Sequence, residues 1–234
     1  MCASRLMRRS GIACGITAEL LDFVPDRVVQ VGIGYHHEEA LVLAEEWPNC
    51  LFTGYEAHPG IVKNLKDYPG EVIEVAISDE IGTKPFFIKK RHGDGSSLFE
   101  HDLSKAKNVE EIQVRCSTLD NFWSNVEIGK ALLWLDCEGG ELDAMRGGVE
   151  LLKKIQLVNL EMTSCPPGSG WCSIVETHAF LEDHGFYQLT SHSNRSSAGQ
   201  ADFLYVKHKW FLSEYCTNPW EITRHAAEVG KYEH

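Results

Sequence analysis

Carboxylates stand where short apolar runs of this chain end. Asp136, Glu138 and Glu141 follow the run Ala131–Leu135 in the string Asp-Cys-Glu-Gly-Gly-Glu, and Glu161 falls near the end of Ile155–Met162. Acids gathered in this way can share a proton, hold a divalent cation or act as a base. Glu138 can equally cap the helix that follows, and Glu141 reads as a solvated acid of its first turn. A second pattern lies upstream. Gly32-Ile33-Gly34 ends the run Arg27–Val31, and Glu56 ends Cys50–Glu56, 22 residues after Gly34. Paired glycines let backbone approach a ligand closely. An acid at that place can accept both hydroxyls of a ribose. Ser78-Asp79 closes Glu71–Ile77, where an adenine edge would lie. Histidines supply further candidates for a base. His92 sits in Arg91-His92-Gly93-Asp94-Gly95, a polar loop able to close over a site. His58 reads as structural, and His192, Asn194 and Arg195 as a polar loop that either meets an acceptor or faces solvent. His36 and His37 are adjacent at a helix start and cannot both face one metal ion. His178 falls on an apolar helix face and reads as a core histidine. Trp171, in a glycine-rich loop, suits an acceptor site better than Trp134.

These residues need elements to position them, and the patterning supplies them. Ala40, Leu43, Ala44 and Trp47 make one helical face after the first strand. Pro59 suits the first position of a short helix over 60–67. Lys84–Lys89 and Ile112–Ser117 predict an extra hairpin. Ala131–Leu135 is apolar throughout, as a strand covered on both faces must be. Leu142, Met145, Val149 and Leu152 predict the next helix, and Ser173 with Glu176 forms a capping box for another that Gly185 ends. Phe186–Leu189 and Ala201–Val206 predict the last two strands. Strands alternating with helices define an α/β fold, a mostly parallel sheet with helices on both faces. Ligands then bind beyond the carboxyl ends of the strands, where the acids and glycines fall. The expected organisation is an N-terminal extension over 1–26, a domain over 27–208, and a C-terminal extension over 209–234 whose Trp210, Phe211, Tyr215 and Trp220 pack on it.

Composition narrows the partners. With 22 basic and 34 acidic residues the net charge is −12, the wrong sign for a nucleic-acid backbone. No apolar run reaches the roughly 18–20 residues that span a bilayer. Arg5, Arg8 and Arg9 precede only a weakly apolar stretch, Gly11–Ala18, so the expectation is a cytoplasmic protein without nucleic-acid or membrane partners. The eight cysteines show no zinc spacing. Cys50, Cys116 and Cys137 read as core residues, and Cys165 and Cys172 as reduced thiols rather than a bridge. The sequence sets no oligomeric state.

Taken in order, Val-Val-Gln-Val-Gly-Ile-Gly at 28–34, Gly-Tyr-Glu-Ala-His-Pro at 54–59, Val-Ala-Ile-Ser-Asp at 75–79, Gly-Ser-Ser-Leu at 95–98, Ser-Thr-Leu-Asp-Asn-Phe at 117–122 and Leu-Asp-Cys-Glu-Gly-Gly-Glu-Leu at 135–142 resemble the FkbM family of S-adenosylmethionine-dependent methyltransferases. The resemblance runs over about 27–190. It implies a Rossmann-like class I methyltransferase fold, with a seven-stranded sheet whose last strand is antiparallel. It also implies O-methylation of a hydroxyl on a small molecule or sugar. Carried onto this chain, Gly32 and Gly34, with Ile33 between them, would face the methionine part of the cofactor. Glu56, with Ala57 beside it, would hold the ribose. Ser78 and Asp79 would lie near the adenine, and Asp136 would face the reaction centre. The family usually has aspartate at the position of Gln30 and tends to have glycine at that of His36. Gln30 still offers a carbonyl that accepts a hydrogen bond. Asp136, Glu138 and His92 are the expected catalytic residues. No metal ligand is assigned; a divalent cation is possible at Asp136, Glu138 and Glu161 but not demanded by their spacing.

Two other readings compete. A non-catalytic binding protein on this fold would follow from the departures at Gln30 and His36. An NAD-dependent oxidoreductase would want a third glycine three residues after Gly34, where His37 stands, and leaves the block at 135–142 unexplained.

Overall fold

The structure is a computed structural model, and it describes residues 23–35, 37–89, 95–100, 109–163, 170–193 and 199–215. His36, His92, Cys165, Asn194, Arg195 and most of both expected terminal extensions lie outside the described residues.

Ten strands and seven helices occur among the described residues. In chain order they are β1 (Arg27–Val31), α1 (Glu38–Glu46), β2 (Leu51–Glu56), α2 (Pro59–Val62), β3 (Glu71–Glu74), β4 (Ala76–Ile77), β5 (Gly82–Lys89), β6 (Val109–Ser117), α3 (Leu119–Trp123), β7 (Ala131–Leu135), α4 (Glu141–Arg146), α5 (Val149–Leu152), β8 (Leu157–Thr163), α6 (Ile174–Asp183), β9 (Phe186–Ser193), β10 (Gln200–Lys207) and α7 (His208–Tyr215). Seven strands form the main sheet in the order β3-β2-β1-β7-β8-β10-β9. Pairings from β3 to β8 are parallel, and β10 runs antiparallel to both its neighbours. The order reverses beside β1, between it and β7. A crevice opens there because the chain leaves the two strands in opposite directions.

Alternation in the strands explains the burial. Val29, Val31, Ala131, Leu133 and Leu135 pack with Met145, Leu151 and Leu152 on one face. Val28, Leu132 and Trp134 pack with Ala40 and Leu43 of α1 on the other. β7 is therefore apolar at every position: both of its faces are covered. Phe23 and Trp210 meet edge to face on the second side, at 5.3 Å between ring centroids.

Several expected elements take a different form. Glu71–Ile77 divides into two strands that join different sheets, because Val75 bends the chain and donates its N–H to Glu56 O at 3.1 Å. β4 then joins the expected hairpin in a separate sheet, β4-β6-β5. The helix predicted over 60–67 is the single turn α2. The helix predicted from Leu142 to Leu152 breaks at Gly147-Gly148 into α4 and α5. A Cβ at Gly147 would lie 2.1 Å from the Ser78 carbonyl oxygen, so close backbone packing requires glycine there. The motif Thr-Leu-Asp makes the start of α3, with Thr118 capping it. Asp120 accepts from the N–H groups of Glu150 and Leu151 at 3.0 and 2.8 Å, fixing α5 against α3. His192 belongs to β9 rather than to a loop. The capping box at Ser173 and Glu176 is present.

Candidate active site

The carboxyl ends of β1, β2, β7 and β8 surround a cleft of about 440 Å³, within the size range of small-molecule sites. Gly32, Ile33 and Gly34 form one wall, Glu56 and Ala57 another, and Asp136, Glu138 and Glu161 the far end. Val75, Ala76, Ile77, Phe86 and Leu98 make an apolar side, supplied partly by the small sheet. The hairpin therefore helps to build the site.

The glycine turn is shaped by hydrogen bonds on both sides. Gly32 and Gly34 have φ of 78° and 68°, where a side chain is strained. A Cβ at Gly32 would also lie 1.8 Å from the Asp136 carbonyl oxygen. Glu56, only 6% exposed, accepts through Oε2 from Ile33 N–H at 3.1 Å and Gly34 N–H at 3.0 Å. Its Oε1 accepts from His58 N–H at 2.7 Å. The acid expected to meet a ligand thus also anchors the turn, and carboxylate lone pairs remain for further donors. Gln30 is buried outside the cleft wall. Its carbonyl accepts from Tyr68 O–H at 3.0 Å, and its amide donates to Gly32 O at 3.3 Å. An ionised aspartate there could not make that second bond, so the amide supports the turn from below.

Ser78 and Asp79 do not line the cleft. Ser78 is fully buried, donates to Asp79 Oδ1 at 3.0 Å, and accepts from Lys84 Nζ at 2.7 Å. Lys84 draws both toward the small sheet. His58 caps α2, its Nδ1 accepting from Gly60 N–H at 2.9 Å, and its ring meets Tyr35 and Phe86 edge to face. His178 is half-exposed and bonded to Tyr205 and Glu182 rather than part of the core. Trp134 is core, whereas Trp171 packs on Gly139.

At the far end, Asp136, Glu138 and Glu161 bring carboxylate oxygens within 4.8 Å of one another. The register Leu135↔Leu160 places Asp136 and Glu161 side by side on adjacent strands. The Asp136 side chain is exposed to the open cleft; desolvation by the surrounding walls, then the charges of Glu161 and Glu138, push its carboxyl above the usual range. Burial, then Glu138 and Asp202, raise Glu161 to about 7. Burial and Asp202 raise Glu39, on the first turn of α1, to about 7 as well. Neither Glu39 nor Asp202 stands out in the sequence. Glu39 reads there as a solvated helix acid, and Asp202 as an inner residue of a strand. Only the pairing Asp202↔Glu161 and the packing of α1 bring them to this group. Glu141 corrects the expectation of a solvated acid. It is 2% exposed, and its Oε1 accepts from Cys137 N–H at 3.1 Å and Gly139 N–H at 3.2 Å.

Such a cluster holds protons that the unfolded chain releases, and this fixes a pH dependence. A folded carboxyl raised above its unfolded value contributes stability at low pH that is lost as pH rises toward the folded value. The unfolding temperature of the protein should therefore fall between about pH 4.5 and about pH 7. Glu161→Gln should flatten the fall, leaving the shares from Asp136 and Glu39. An equal slope in both proteins would remove Glu161 from the cluster.

The strand order with its one antiparallel strand, and a cleft at the reversal, define a Rossmann-like class I methyltransferase fold. A match to the methyltransferase FkbM domain covers residues 29–187, and the chain belongs to the FkbM methyltransferase family. Among curated proteins, none matches the chain. Solved structures similar to it include the precorrin-6y C5,15-methyltransferase of Geobacter metallireducens, at 11% identity and a TM-score of 0.46, covering 85% of this chain and 92% of that one. The magnesium protoporphyrin IX methyltransferase of Synechocystis, with bound S-adenosylmethionine, is 11% identical at a TM-score of 0.46, covering 83% and 77%. The fibrillarin pre-rRNA processing protein of Methanococcus jannaschii is 10% identical at 0.48, covering 80% and 70%. The fold rests on the strand order and the family match, not on these likenesses. The methyl donor is S-adenosylmethionine. Among the described residues no helix is long and apolar enough to cross a membrane.

The residues of the cleft fit this donor. Its sulfonium and ammonium groups are cationic, and the described lining carries four carboxylates and no lysine, arginine or histidine. A dinucleotide fits poorly: its diphosphate would face those carboxylates, and the N–H groups of Ile33 and Gly34 already bind Glu56.

Proposed function

We propose that the protein methylates a hydroxyl of a small molecule or sugar, with Asp136 as the general base. The observation that carries this reading is the meeting of Asp136, Glu138 and Glu161 in the cleft, with the Asp136 carboxyl raised above its ordinary range. A hydroxyl must lose its proton as it attacks the methyl carbon, and a base works best with a pKa near the working pH. When bound, S-adenosylmethionine supplies an electrophilic methyl group on a positive sulfur. The chain supplies alignment and a proton acceptor.

In this reading Gly32, Ile33 and Gly34 cradle the methionine part, and Glu56 accepts from the ribose hydroxyls. Ala57, Val75, Ile77 and Phe86 offer the adenine a slot. That slot replaces the polar contacts expected from Ser78 and Asp79. Asp136 takes the hydroxyl proton, and Glu138 and Glu161 keep its basicity high by repulsion. His92 remains a candidate second base. Gln30, turned away from the cleft, gives no support to a chain that has lost its ligand.

Calorimetric titration with S-adenosylmethionine, S-adenosylhomocysteine and NAD in parallel tests the site. Binding of the two sulfur compounds alone is expected, and NAD binding would overturn it. Screening hydroxylated acceptors against amine acceptors with the loaded protein then tests the reaction. Transfer only to amines would overturn O-methylation.

A further inference from the structure

Glu138 has φ of 52°, and it is the one non-glycine residue with positive φ among the described residues. A residue with a side chain rarely adopts that region, so something must impose it. Two buried groups grip its peptide from opposite sides. Ser97, fully buried, donates its hydroxyl to Glu138 O at 2.7 Å. Glu141, nearly so, straddles the residue by accepting from the N–H groups before and after it. Ser97 is itself fixed. Its backbone bridges Phe87 on β5 through two hydrogen bonds of 2.8 and 3.1 Å, and its oxygen accepts from Phe99 N–H at 3.1 Å.

We infer that Ser97 and Glu141 are positioning residues, a two-sided clamp that holds residue 138 in the left-handed conformation and so sets the Glu138 carboxylate into the cleft beside Asp136 and Glu161. The clamp gives a task to Gly-Ser-Ser-Leu at 95–98 and to the last acid of the block at 135–142. It also couples the small sheet to the reacting end, because Gly95, Ser96 and Leu98 line the same cleft. Its role in the reaction rests on the reading of that cleft proposed above; its effect on residue 138 does not.

Glu141 is also the first residue of α4, so a purely structural role must be separated from the clamp. Crystal structures of Ser97→Ala, Glu141→Gln and Glu141→Leu do this, with NMR titration of the carboxyl groups of Ser97→Ala. The glutamine carbonyl still accepts both N–H groups, so Glu141→Gln should keep φ positive at residue 138. Ser97→Ala and Glu141→Leu should each turn it negative and take the carboxylate away from Asp136. In Ser97→Ala, whose Glu141 is intact, Glu161 should then titrate below about 7, because one repelling charge has left. If Glu141→Leu fails to fold, Ser97→Ala decides alone. A positive φ with unchanged titration in Ser97→Ala would overturn the clamp. S-adenosylhomocysteine affinity should fall far less in the folded variants than in Glu56→Ala, since Glu56 and the glycine turn are untouched. A wild type that fails to bind it would count against the cofactor reading and not against the clamp.

Discussion

Glu56→Ala should weaken binding of S-adenosylhomocysteine by about a hundredfold or more, the largest effect on affinity expected of any single change here. Two losses combine. The ribose hydroxyls lose their charged acceptor, and hydrogen bonds to charged groups are worth about 1.5–3 kcal/mol. The glycine turn also loses its anchor, since the N–H groups of Ile33, Gly34 and His58 all donate to this one carboxylate. Glu56→Gln separates the two. Its carbonyl can serve Ile33 and Gly34, but its amide then faces the His58 N–H, donor against donor, so a milder loss is expected. Calorimetry on both variants, with thermal unfolding to confirm that they fold, is the check. Unchanged affinity in Glu56→Ala would make Glu56 an anchor only and place the cofactor elsewhere.

Asp136→Asn should act on the other half of the reaction. An amide of the same shape cannot take a proton, and removing a general base costs typically 10²–10⁴-fold in rate. The backbone bond from Asp136 N–H to Val31 O, at 2.9 Å, survives the substitution. Turnover of an acceptor found by screening should thus fall by about that factor, with cofactor affinity changed several-fold at most. Equal losses in turnover and affinity would take Asp136 out of the chemical step.

The fold was open to reading because its signals are local. The apolar run Ala131–Leu135, the glycine pair after β1 and the capping box at Ser173 each report an environment that a few neighbouring residues fix. What stayed hidden depends on how the chain folds around each residue, whether its partner is near in sequence, as for Ser78, Asp79 and Glu141, or far, as for Gln30. Ser78 and Asp79 hold the strand-end position expected of them, yet Lys84 turns them toward the small sheet. Glu141 sits where a solvated first-turn acid belongs, but the turn at 137–139 folds over it. Gln30 is a departure from the family pattern, and its use in bracing Gly32 needed the position of Tyr68.

By itself the sequence determined the succession of elements, the family, and the strand ends at which Gly32, Gly34, Glu56, Asp136, Glu138 and Glu161 stand. Periodicity, glycine and capping residues act over a few positions, and parallel strands carry their ends to one side of the sheet. Tertiary structure alone decided which acids share a charge environment and which backbone they hold. Glu39 and Asp202 join Glu161 only when α1 lies on the sheet and β10 pairs with β8. Ser97 reaches Glu138 only when the small sheet closes on the cleft. Charge interactions and hydrogen bonds act through a few ångströms of space, whatever the number of residues between their partners.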